Sequence, residues 1–150
     1  MQGPSRRVAI GLILLAATIS VYASLKSAAA EPVPLAIKGY DPVAYFTVGT
    51  AVRGLPEFDY EWDEHRYLFS RAEYRELFKA DPVRYAPQFA NFCAVALARG
   101  DLDEGNPEYW LVSEGKLYLF GKAIGPAMWK QHLAENISKA NENRWLIQKR

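Results

Sequence analysis

Cysteine is nearly missing from this chain: Cys93 is the only one in 150 residues. An intrachain disulfide is therefore excluded, and stability has to come from packing alone. Histidine is almost as scarce, with His65 and His132 alone, and neither makes a recognised metal-ligand spacing with Cys93. No P-loop, GxSxG, HExxH or dinucleotide fingerprint occurs. Charge of one sign is never concentrated. The 18 Lys and Arg stand against 17 Asp and Glu for a formal net charge of +1, with no block of like charge. That distribution lacks the electrostatic footprint of a nucleic-acid binder, and a membrane-surface role has no support either. Long apolar runs are missing too, except for one near the N-terminus.

That run, VAIGLILLAATISVYA (8–23), follows Arg6 and Arg7 and precedes Ala28-Ala29-Ala30, an A-x-A pattern before Glu31. It is shorter than the ~20 residues of a membrane span. Basic, then apolar, then small is the order of a cleavable signal peptide; an uncleaved anchor is the alternative. Residues 1–30 are thus expected to be removed, leaving 31–150 as one periplasmic or secreted domain with no stable membrane span. The route is of the Sec type. Arg6-Arg7 also hints at twin-arginine export, although Ala9 stands where a bulky apolar residue belongs. Cleavage takes Arg6, Arg7 and Lys26 and leaves the domain mildly acidic.

What is present is aromatic: Phe, Trp and Tyr make up 13% of the chain, enough for a compact core without disulfides. In YDPVAYF (40–46), Asp41 can cap a turn that Pro42 opens. FDYEWD (58–63) alternates, setting Phe58, Tyr60 and Trp62 on one face, and RYLFS (66–70) supplies the returning strand of an antiparallel hairpin. Ser70-Arg71-Ala72-Glu73 reads as a capping box for a helix that buries Tyr74, Leu77 and Phe78. Asp81-Pro82 stops that helix and starts another turn anchored by Tyr85. Asn91 is placed to cap a second helix with Phe92, Cys93, Ala96 and Leu97 inward and Gly100 as its stop. YWLVSEGKLYLF (109–120) forms a second hairpin, and the stretch from Gly121 to Trp145 reads as helical. No repeat stands out. The expected fold is one α+β domain, two antiparallel hairpins forming a small sheet packed with three to four helices.

GYDPVAYF (39–46), YLFSRAEYRELFKADPVRYAPQ (67–88), the FCA step at 92–94 and GKLYLF (115–120) resemble the exported, single-domain branch of the YHS-domain proteins. The resemblance covers almost all of 36–145. The wider family resembles small metal-handling modules whose hairpin-to-helix corner carries two thiolates. A strand end meeting a first helical turn brings such ligands together. Here Ser70 stands at the first thiol position, and Ala72 to Tyr74 at the second, so the implied metal chemistry does not transfer through this corner. In the exported branch the stretch at Cys93 resembles G-G-Y-C-A; the cysteine matches, while Ala90-Asn91-Phe92 depart.

Cys93 is therefore the remaining soft ligand and the candidate site residue. With Asn91 as cap it would sit at N2, where helix amides favour a thiolate suited to a transition-metal ion, a haem or redox work. The competing reading is a small buried hydrophobe, which also explains how a free thiol survives export. Tyr40, Asp41 and Tyr45 are candidate ligand-binding residues as the polar lip of an aromatic pocket. Against this, Asp41 caps and Tyr45 packs. His65 reads as a solvated turn residue. A cysteine nucleophile would need His65 or His132 as base, and no local signature supports that pairing. Three functions stay open: a binding module holding a metal ion or small ligand near Cys93, a non-catalytic interaction domain docking on an envelope protein, and a cysteine-dependent enzyme.

Overall fold

The computed structural model describes residues 32–149, so the expected signal peptide lies outside the described residues. No helix among these residues is long and apolar enough to cross a membrane. An extended lead-in enters a tight turn at Ala36–Gly39, where Ile37 and Lys38 take left-handed backbone (φ 49° each). Then come α1 (Ala44–Thr47), β1 (Leu55–Trp62), β2 (His65–Phe69), α2 (Ala72–Ala80) and α3 (Pro82–Tyr85). The chain continues through α4 (Ala94–Ala98), β3 (Asn106–Ser113), β4 (Lys116–Phe120), α5 (Gly125–Gln131), α6 (Leu133–Glu142) and α7 (Trp145–Gln148).

The α+β class and the two antiparallel hairpins expected from the sequence are present. The hairpins, however, are separate two-stranded sheets rather than neighbours in one. More short helices surround them than the apolar spacing suggested, because single turns such as α3 carry too few residues to show a period. At α3 the Asp81 side chain accepts from the Arg84 N–H at 3.2 Å, and Pro82 opens the turn as expected. Tyr85 is buried beneath it. In α2, Phe78 is fully buried but Leu77 lies exposed, so the apolar stripe is narrower than its spacing implied.

Contrary to the sequence expectation, the chain contains a repeat. β1 and β2 pair Leu55 with Phe69, Asp59 with Leu68, Tyr60 with Tyr67, Glu61 with Arg66 and Trp62 with His65, the register shifting between Leu55 and Asp59. β3 and β4 reproduce this pair by pair: Asn106 with Phe120, Trp110 with Leu119, Leu111 with Tyr118, Val112 with Leu117 and Ser113 with Lys116. The shift falls at the same place. Both hairpin turns use left-handed residues, Asp63-Glu64 and Glu114-Gly115, as two-residue loops between twisted strands require.

The correspondence extends beyond the hairpins. Leu35 bridges Arg66 in parallel, as Pro87 bridges Leu117. Gly54 N–H donates to Gly39 O at 2.8 Å, and Gly105 N–H to Asn91 O at 2.7 Å. Phe78 packs on Tyr67 and Phe69, with ring centroids at 4.6 and 5.2 Å. Trp129 packs on Tyr118 and Phe120 at 5.1 and 6.0 Å. The repeat is hard to read in sequence because few residues match. They include Gly54-x-Pro56-Glu57 against Gly105-x-Pro107-Glu108, and Tyr67-Leu68-Phe69 against Tyr118-Leu119-Phe120. Ladder pairing constrains which face a residue takes far more than its identity.

Each half has its own core. The first gathers Ile37, Val43, Tyr45, Tyr67, Phe69 and Phe78, and the second Phe89, Cys93, Leu97, Tyr118, Phe120 and Trp129. Strand β4 joins them. Its alternation sends Leu117 and Leu119 into the first core, and Tyr118 and Phe120 into the second.

Candidate functional site

Cys93 lies at the entry to α4 with extended backbone (φ −69°, ψ 117°), and it occupies the N-cap position itself. The expected arrangement, Asn91 as cap and Cys93 at N2, does not occur. Asn91 turns instead to the lead-in, where its Oδ1 accepts the Ile37 N–H at 2.6 Å. A buried N–H in a left-handed turn has no water to bond, so it outcompetes an accessible helix end for the side-chain acceptor. With α4 only five residues long and Cys93 outside it, the helix dipole gives no argument for a thiolate.

The backbone pins Cys93 on both sides. Its N–H donates to Asp103 O at 2.8 Å, and its carbonyl accepts from Leu97 N–H at 3.0 Å. Cys93 is a free cysteine, and its residue is only 8% exposed. It nevertheless lines a cleft of about 320 Å³. Val95, Ile124 and Met128 supply apolar wall, while Arg99, Asp101, Asp103, Glu104 and Lys122 bring charge of both signs. Glu104 is engaged by Lys38 at 3.4 Å. Cys93 is thus packed in the second core, as a small buried hydrophobe would be, and also borders open space. Composition could not have found the cleft, because its walls come from α4, the 101–104 loop and the segment after β4.

The structure does not bring Tyr40, Asp41 and Tyr45 to Cys93. Asp41 is completely buried and accepts three hydrogen bonds. They come from Val43 N–H at 2.9 Å, and from Ser70 N–H and Oγ–H at 2.7 Å each. Its capping role at the 42–43 turn is realised. The expected capping box at Ser70 is not: Arg71 takes the N-cap position of α2 without a side-chain bond. A desolvated carboxylate is a stronger claimant on the serine hydroxyl than a helix end that water can serve. Tyr45 is buried with its hydroxyl donating to Pro107 O at 2.8 Å. Burial, reinforced by nearby Tyr40, Asp41 and Glu108, holds that phenol well above its ordinary range. Tyr40 donates to Glu108 at 3.0 Å beneath the Arg53 guanidinium. These polar groups are committed to partners within the fold.

Neither histidine lines the Cys93 cleft. His65 Nδ1 sits 2.8 Å from Asp63 O, and His132 borders a neighbouring groove near Glu135. A Cys–His nucleophile and base pair is therefore not assembled there. Among the described residues, no group of three His, Cys, Asp or Glu is placed to hold a metal ion. The donor set at Cys93, one thiol without matching ligands, does not fit the metal role that the YHS resemblance implies for the wider family. No family model, curated protein or solved structure matches this chain.

Proposed function

We propose that the chain is an exported YHS-type binding module that holds a small ligand in the cleft at Cys93. The observation that carries this reading is the cleft itself: a largely buried thiol bordering about 320 Å³ of space between apolar walls and charged groups. That is the lower end of the size range of small-molecule sites, and the mixture of apolar surface with a few polar groups is their usual chemistry. The ligand is a small organic molecule with an apolar part and a charged group, the charge meeting Arg99, Lys122, Asp101 or Asp103. Export follows from the signal-like order of residues 1–30.

Native mass spectrometry of the purified full chain, paired with elemental analysis and an absorption spectrum, tests the reading. The expected result is a retained organic mass that disappears on denaturation and is reduced in Val95→Trp, which fills the cleft. A metal signal abolished in Cys93→Ser would replace the organic ligand with an ion. A protein free of any bound species by all three measurements overturns the proposal.

A further inference from the structure

We infer that Gly121 is the residue that opens the cleft onto Cys93, at a place that the first half of the chain closes with a side chain. The inference rests on the binding reading above and adds the determinant of access. Positions 41 and 93 are counterparts in the repeat. Each donates its N–H across its own loop at 2.8 Å, Asp41 to Val52 and Cys93 to Asp103. Positions 70 and 121 are counterparts as well, each directly following the last paired residue of its hairpin, Phe69 or Phe120.

In the first half this slot is filled. Ser70 Oγ reaches the Asp41 carboxylate at 2.7 Å, and Asp41 is cut off from solvent. In the second half there is no side chain to fill it. A Cβ on Gly121 would stand 3.9 Å from Cys93 Sγ and 3.1 Å from Glu104 O, within the cleft that both residues line. The same backbone frame thus carries one plugged slot and one open slot. The group facing the open one is a thiol, nine-tenths buried, for which no side-chain hydrogen bond is formed among the described residues. A serine at 121 is sterically close to acceptable, since Glu104 O has to yield only a few tenths of an ångström.

Labelling of the folded full chain with N-ethylmaleimide reads access to Cys93. The wild-type thiol is expected to react without denaturant. Gly121→Ser should slow that reaction by roughly tenfold or more, with Gly121→Ala between the two, because thiol reactivity follows access. The melting temperature of Cys93→Asp gives a second readout. Asp at 93 alone lowers it, and adding Gly121→Ser recovers part of the loss by rebuilding the first-half pair.

A wild-type thiol inert until unfolding defeats the binding reading itself. A reactive wild type with an equally reactive Gly121→Ser defeats only the role of Gly121. A Gly121→Ser that fails to fold, or gives no rescue of Cys93→Asp, also overturns the inference, because the first half accommodates serine at the same place.

Discussion

Asp41 shows what a single buried charge requires. Its carboxylate is held by three N–H and O–H donors, two of them from Ser70. In Asp41→Asn, an amide nitrogen would replace one oxygen and meet either the Val43 N–H or the Ser70 N–H, donor against donor in both orientations. Hydrogen bonds to a charged group contribute about 1.5–3 kcal/mol each, and an unsatisfied buried donor costs a similar amount. Chemical denaturation of Asp41→Asn should therefore show a loss of about 3 kcal/mol, with a smaller loss in Ser70→Ala. A variant within about 0.5 kcal/mol of wild type, the range of ordinary surface substitutions, would show that the carboxylate does not hold this corner.

At the scale of elements, the hairpins were legible in the sequence and their capping partners were not. Phe58, Tyr60 and Trp62 alternate, and all three are partly buried against the first core. Asp81-Pro82 announces α3 through a bond only three residues long. Ser70 and Asn91 mislead because their acceptor and donor lie 29 and 54 positions away. A local window sees a good helix cap and cannot see a buried group that needs the side chain more. Cys93 stands out in the sequence as its one cysteine, but its cleft depends on Gly121 and the 101–104 loop, which no spacing links to it.

The matched hairpins also make a matched prediction. A Cβ at Gly54 would lie 2.4 Å from the Leu68 carbonyl carbon, and one at Gly105 would lie 2.8 Å from Leu119 Cβ. Both places bring a loop against the same strand position of its own hairpin. Gly54→Ala and Gly105→Ala should each destabilise by about 1–3 kcal/mol, as overpacked sites do, and Gly54→Ala more, because backbone cannot swing aside. Urea denaturation measures both, and a neutral Gly54→Ala would contradict the close approach.

For the whole molecule, buried phenols set an alkaline limit. Tyr45 and Tyr67 are both held well above their usual range, chiefly by burial, with Asp63 adding to the effect at Tyr67. Below a pH of about 10, folded and unfolded chains both keep these protons, and the phenols contribute no pH dependence. Above it, the unfolded chain releases protons that the folded chain retains. The unfolded state then binds fewer protons, and stability falls by about 1.4 kcal/mol per pH unit for each tyrosine. Urea midpoints measured from neutral pH upward should hold until about pH 10 and then decline. Tyr67→Phe should make the decline shallower, and an unchanged slope would remove Tyr67 from the account.

Strand β4 lends one flank to each core, Leu117 and Leu119 to one and Tyr118 and Phe120 to the other. Severing the chain between the halves would strip the first of its aliphatic roof and leave the second with an oily ribbon bare to water. Neither fragment could rest alone without finding something greasy to lie against, and the nearest such thing is another molecule of its own kind.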